Sequence, residues 1–197
     1  MTPIIRQATP EDATQILEIY APIVEQTTIS FEISPPSVGE IAERIIHYTE
    51  KYPWLVLMDG DNLMGYAYGS THRARAAYQW SVEVSVYTHE NYRRRGVGYA
   101  AYKTLLDVLR LQGFYNAYAG ITLPNDPSEG FHRALDFQPI GVYHNIGYKH
   151  LKWCDVAWYE LALQDYGDNP QPPTPIGEVL SKDAYLHALE SGLTYLK

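Results

Sequence analysis

Residues 84–98 constrain this chain more than any other stretch. Val84, Val86 and Thr88 alternate with Ser85, Tyr87 and His89, then come Arg93, Arg94, Arg95, Gly96, Val97 and Gly98, then a long apolar-periodic run. The alternation predicts a strand. The run from Gly96 to Gln112 predicts a helix, with Val97, Ala101, Leu105, Val108 and Leu109 on its apolar face and Gly113 stopping it. A strand that turns through glycines into a helix presents first-turn N–H groups with no intrahelical partner at the positive end of the helix dipole. That turn is an anion cradle suited to a pyrophosphate, with arginine charge at its rim. The spacing Arg-x-x-Gly-x-Gly is neither the three-glycine dinucleotide fingerprint nor a P-loop, since no Lys-Ser or Lys-Thr follows. A tight strand–helix turn without a ligand has the same short pattern, so the wider sequence has to decide.

Other segments place the cradle in a mixed fold. Ile4 to Ala8 reads as an opening strand, and Thr9-Pro10 as the start of a helix carrying Ala13, Ile16, Leu17, Tyr20 and Val24 inward. Ser37 to Glu40 has capping-box form. Trp54 to Met58 and Leu63 to Ser70 form a hairpin about the turn cluster at Asp59 to Asn62, and Tyr78 to Thr88 is a third strand. On it Trp80, Val82, Val84 and Val86 face one way, and Ser81, Glu83, Ser85 and Tyr87 the other. Tyr115 to Ile121 is a strand, Asp126-Pro127 opens a short helix ending near Phe137, and Ile140 to Tyr148 and Val156 to Leu163 are the last strands. The reading is α+β, an α/β sandwich. Residues 1–163 form one domain; residues 164–197 form a proline-rich linker and a helical tail over Ser181 to Leu196, whose packing partner stays open.

Composition excludes several classes. The formal charge of −8 argues against a nucleic-acid or anionic-membrane partner, and a local basic cluster on an acidic body points to a small anionic ligand. One cysteine, Cys154, rules out an intramolecular disulfide, and no zinc spacing is present, so no metal is expected. The first residues lack signal-peptide organisation, and no apolar run reaches membrane-spanning length, so a cytoplasmic location is expected. The 18 tyrosines suit pockets, interfaces or amphipathic core filling.

The cradle, together with Glu50 to Val56, Ala74 to Glu83, Leu123 to Ser128 and Gly147 to Trp153, resembles GNAT-type N-acetyltransferases of the phosphinothricin and methionine sulfoximine N-acetyltransferase branch, over about Ile4 to Leu163. The resemblance implies a strongly twisted mixed sheet with helices on both faces, splayed after the strand carrying Glu83. It implies acetyl-CoA as co-substrate, with the backbone of Val84 to Tyr87 facing the thioester. Val86, Tyr87, Arg93, Arg94, Arg95, Gly96, Val97, Gly98, Asn125 and Ser128 would contact the coenzyme. For Asn125 and Ser128 helix capping is the alternative.

The resemblance makes Glu83 the general base and His132 a second catalytic residue. A solvated edge glutamate and a structural histidine are the alternatives. Phe31, Arg73, Arg75 and Tyr78 match the acceptor side, where arginine suits a carboxylate; a solvated surface loop is the alternative. Arg73 stands where a lysine is common in the branch, and Cys154 where relatives carry histidine. The implied acceptors are phosphinothricin, methionine sulfoximine and methionine sulfone. Another amine, such as a protein N-terminus, polyamine or aminoglycoside, and a non-catalytic acyl-CoA-binding module are the competing readings. A homodimer is expected from the aromatic-rich surface and the family habit.

Overall fold

The computed structural model describes residues 2–197. Seven strands make one mixed sheet: β1 (Ile4–Gln7), β2 (Trp54–Asp59), β3 (Asn62–Thr71), β4 (Ser81–Thr88), β5 (Asn116–Thr122), β6 (Gln138–Lys149) and β7 (Lys152–Ala162), in the order β1-β2-β3-β4-β5-β7-β6. Among the described strands β4 and β5 alone pair in parallel. Their pairing covers just three positions, Ser81↔Asn116, Val82↔Ala117 and Glu83↔Tyr118. Beyond Glu83 the strands part. From Val84 to Thr88, β4 keeps β3 on one edge and has no strand on the other. A splayed pair therefore leaves a row of backbone N–H and C=O groups open at mid-sheet, where an extended amide-bearing ligand can complete the ladder.

Helices cover both faces. Helix α1 (Ala13–Gln26) and α2 (Val38–Thr49) lie on one, where Ile16, Val24, Ile41 and Ile45 meet Trp54, Val56 and Tyr66. Helix α2 begins at the capping box the sequence announces: Ser37 Oγ accepts from Glu40 N–H, and the Glu40 carboxylate accepts from Ser37 N–H. Helix α3 (Val97–Gln112) fills the other face, with Ala101, Leu105, Val108 and Leu109 against Leu55, Leu57, Val82 and Val84. The alternation on β4 holds: its valines enter the α3 cluster, while Tyr87 packs among Tyr20 and Tyr66 on the α1 face. Several tyrosines serve as core. Trp54 stacks on Tyr68 with ring centroids 4.3 Å apart, and Tyr48 and Tyr66 extend the stack.

Several boundaries differ from the sequence reading. The third strand starts at Ser81, because Ala76–Tyr78 forms a 3₁₀ turn; Tyr78 lies on that turn. Helix α4 (Asp126–Arg133) ends before Phe137, which turns inward as core. Strands β6 and β7 are longer than expected, and Trp153 and Cys154 lie inside β7. The tail packs on the domain: α5 (Asp183–Leu193) rests on α3 and β1, and Ile176, Val179, Tyr185 and Ala188 join the main core.

Candidate active site

Where β4 and β5 part, the side chains around Glu83 enclose a cavity of about 420 Å³. Its walls include Phe31 from the α1–α2 connection, His72 and Arg73 after β3, Thr122 at the end of β5, Tyr143 on β6 and Trp158 on β7. Glu83 is half-buried, its side chain 37 % exposed to this space. Enclosure raises its pKa above the usual carboxylate value, and the Arg73 charge offsets part of that rise. Such a carboxylate is a stronger base than a solvated one.

The roof over the cavity is tied down by a buried lysine. Lys149 Nζ donates to the carbonyls of Val24 (2.6 Å) and Ser30 (2.7 Å), so one cation caps the end of α1 and the loop carrying Phe31. The Phe31 ring then lies over Gly147, in the space a Cβ there would need. That contact explains the glycine: any side chain would displace the ring.

The Arg/Gly turn read from the sequence leads into the start of α3. Arg94 (φ 64°) and Gly96 (φ 82°) both adopt the left-handed conformation, turning successive N–H groups toward one concavity. Arg93, Arg94 and Arg95 are exposed, and Arg95 lies over the Tyr92 ring, 5.4 Å from its centroid. Gly96 is the N-cap, and its carbonyl accepts from Ala100 N–H (2.8 Å). The N–H groups of Val97, Gly98 and Tyr99 are the helix's orphan donors. The donors, their charge and the open β4 edge at Val86 and Tyr87 fit a ligand with a pyrophosphate at one end and an amide-bearing arm at the other.

Behind Gly96 the site is closed by the tail. The Tyr195 carbonyl occupies the position of a Gly96 Cβ, Lys197 N–H donates to the Arg95 carbonyl (3.0 Å), and the Tyr99 and Tyr195 rings meet at 4.9 Å.

The other predicted residues divide. Phe31 and Arg73 wall the Glu83 cavity, whereas Arg75 and Tyr78 are exposed and do not. Asn125 caps α4, accepting from Ser128 N–H (3.3 Å). It also lines a neighbouring cavity of about 400 Å³ that shares Ile29 and Thr122 with the first. His132 is buried, with both ring nitrogens engaged. Nδ1 lies 2.8 Å from the Ser128 carbonyl, which can only accept, so Nδ1 carries the hydrogen; Nε2 then accepts from the Tyr102 hydroxyl at 3.0 Å. Burial lowers its pKa, against a smaller opposing effect of the Ser128 carbonyl. His132 is not among the walls of the Glu83 cavity, and its contacts tie α4 to α3. Cys154 is buried as well.

Sequence reasoning missed His72, Tyr143 and Trp158. Tyr118 and Trp158 enclose His72 from β5 and β7, far away in the chain, and no local pattern marks them. Among the described residues no group of three His, Cys, Asp or Glu side chains could hold a metal ion.

Comparison with known proteins identifies the family of the fold. The Acetyltransferase (GNAT) domain model matches residues 5–158. A phosphinothricin N-acetyltransferase of Streptomyces viridochromogenes is 35% identical over 175 residues, covering 89% of this chain and 93% of that protein. An L-methionine sulfoximine/L-methionine sulfone acetyltransferase of Pseudomonas paraeruginosa is 31% identical, covering 83% and 96%. The crystal structure of a GNAT superfamily phosphinothricin acetyltransferase from Sinorhizobium meliloti in complex with acetyl-CoA superposes with a TM-score of 0.80 at 33% identity, covering 89% of this chain and 99% of the other.

Proposed function

The chain belongs to the GNAT acetyltransferases and is an acetyl-CoA-dependent N-acetyltransferase, and on that premise we propose that it acetylates the α-amine of a small amino-acid analogue of the phosphinothricin, methionine sulfoximine or methionine sulfone type, with Glu83 as base. One observation carries this reading. The half-buried carboxylate of Glu83 sits where β4 and β5 separate, in a cavity that also holds Arg73.

Acetyl-CoA supplies the acetyl group as a thioester. Arg93 to Tyr99 hold its phosphates by backbone N–H groups and rim charge, and the free β4 edge from Val84 to Tyr87 holds its arm. The acceptor arrives as an ammonium ion, which cannot attack. Arg73 receives its carboxylate or second anionic group, Phe31 and Trp158 exclude water, and Glu83 removes a proton from nitrogen. The freed amine attacks the thioester carbonyl, the C–S bond breaks, and the second nitrogen proton leaves with the coenzyme as its thiol; holding the two substrates side by side supplies much of the acceleration. Cys154, buried and on no cavity wall named above, takes no part, and direct transfer needs no enzyme nucleophile. An anion-binding Arg73 disfavours a polyamine acceptor. A non-catalytic acyl-CoA-binding module would have no use for Glu83.

Residues 1–163 carry this chemistry in our reading, and residues 164–197 brace the cradle. His132 serves as a positioning residue through Tyr102 and α4. We further assign a homodimer built on the β6 edge, where Val142, Tyr143, Ile146 and Tyr148 are exposed with Trp153. No helix among the described residues is long and apolar enough to cross a membrane. The lone buried cysteine suits a reducing, cytoplasmic setting.

The test is a panel of amines offered with acetyl-CoA, following free thiol. Methionine sulfoximine, methionine sulfone and phosphinothricin should turn over; release only with polyamines or peptides would refute the acceptor assignment.

A further inference from the structure

One part-buried group beside Glu83 has no role in the mechanism above. His72 is wedged between aromatic rings: it stacks on Tyr118 with centroids 4.3 Å apart and an interplanar angle of 15°, and meets Trp158 edge-on at 5.8 Å. This packing aims Nδ1 at Glu83, 3.7 Å from Oε2. Nδ1 is enclosed and has no hydrogen-bond partner. A buried nitrogen left unpaired costs about 1–3 kcal/mol, so its position needs a reason. The gap to Glu83 is one small side-chain adjustment from hydrogen-bond length, and such contacts tighten when substrate binds.

The ring also borders two spaces. Glu83 lines the acceptor cavity alone. His72 lines that cavity and a second one of about 200 Å³, walled with Arg73, Tyr118, Ile140, Gly141, Tyr143 and Trp158. A proton arriving on Glu83 has to leave before the next turnover, while the acceptor cavity is filled by substrate. His72 has its Nδ1 3.7 Å from the Glu83 carboxylate and also lines the far space.

We propose that His72 is the proton outlet of the active site, relaying the proton taken by Glu83 out through the second cavity. This rests on Glu83 being the base. The steps balance without redox change. An N–H bond of the acceptor ammonium breaks as an O–H bond forms on Glu83. That O–H breaks as Nδ1–H forms on His72. The imidazolium then gives up its Nε2 proton to water in the second cavity. Proton exchange with water restores the starting tautomer between turnovers. Glu83 is ionised again and His72 neutral.

The groups around His72 favour a neutral ring at rest. Burial lowers its pKa, and Arg73 lowers it further. The remaining titratable neighbours are Glu83 on β4, Tyr118 on β5, Tyr78 on the preceding turn and Tyr143 on β6. Burial raises the Tyr118 hydroxyl pKa, so that group stays neutral. Glu83 is the carboxyl group beside His72 Nδ1.

The test is a cycle of His72→Phe, Glu83→Gln and the double variant, with pH profiles of kcat and kcat/KM. Phenylalanine keeps the stack on Tyr118 and removes the nitrogens. We expect His72→Phe to lower kcat by roughly tenfold or more, with the acetyl-CoA KM held within about twofold. Added imidazole should restore part of the loss, and the substitution should cost nothing further in the Glu83→Gln background, since the two act in series. His72→Asn, a smaller polar change, should show the same imidazole rescue and guards against misfolding of the phenylalanine variant. Wild-type kcat and pH profile in both His72 variants, with Glu83→Gln impaired, would overturn the relay and leave Glu83 as base. An unimpaired Glu83→Gln would overturn both. A loss in both His72 variants that imidazole does not touch, with the pH profile unmoved, would also overturn the relay, because packing alone explains it.

Discussion

Glu83 sets the expected pH dependence. A base works only when ionised, so kcat/KM falls as pH drops through its pKa. Enclosure raises that pKa. The acidic limb of the profile should therefore lie above the range of a free glutamate, near pH 4.3 in model peptides, and should vanish in Glu83→Gln along with most of the turnover. A limb at the ordinary carboxylate position would contradict the environment described for Glu83. Lys149 gives a second outcome at this scale. Lys149→Met leaves the Val24 and Ser30 carbonyls without their donor, at a cost of about 1–3 kcal/mol read as a lowered urea midpoint. Phe31 loosens with its loop, so the acceptor KM should rise while the acetyl-CoA KM stays put. Gly147→Ala should raise the acceptor KM in the same way, through displacement of the ring. Neither residue is conspicuous in the sequence. Lysine normally reads as surface, and Lys149 is buried because the backbone carbonyls of Val24 in α1 and Ser30 in the following loop solvate it.

Elements whose signals are local were legible. The Ser37–Glu40 box starts α2, Gly113 ends α3 in the left-handed conformation, and the alternation on β4 sorts valines from Glu83. Tyr78 was misplaced because an aromatic next to a strand shares the strand's composition; only the backbone shows the 3₁₀ turn. The splay of β4 and β5 was expected from family resemblance alone, since parting depends on the paths of two strands separated by a helix. The cradle combines both cases. Its glycines were read as serving the ligand, and the structure gives Gly96 a second constraint, the tail lying where its side chain would go. Gly96→Ala should cost about 1–2 kcal/mol for the left-handed backbone, and more through loss of the tail contact. It should also make the segment around Tyr195 sensitive to limited proteolysis. Protection equal to wild type in this variant would mean that the tail is held by α5 alone.

At the scale of the whole molecule, the site is assembled from both halves of the sheet. Glu83 comes from β4, Phe31 from the α1–α2 connection, and Tyr143 and Trp158 from the β6–β7 hairpin. No single stretch contains it, which is why the sequence offered Glu83, Phe31 and Arg73 as candidates but not His72, Tyr143 and Trp158. Strand β6 lies at the sheet edge with Ile146 55 % and Tyr148 52 % exposed, and Trp153 beside it on β7 is 63 % exposed. A second copy covering this edge would pack against the same hairpin that carries Tyr143. Light scattering at micromolar concentration should give twice the mass of the 22.4 kDa chain, and Ile146→Lys combined with Trp153→Lys should give the monomer. A wild-type monomer at every concentration would remove the dimer.

A crystal structure of the protein with coenzyme A and methionine sulfoximine bound together tests the central claim most directly. The pyrophosphate should lie on the N–H groups from Arg94 to Tyr99, the arm along β4 beyond Glu83, and the acceptor nitrogen within hydrogen-bond reach of the Glu83 carboxylate or of one water held by it. A coenzyme seated away from that turn, or an acceptor nitrogen facing away from Glu83, would contradict it.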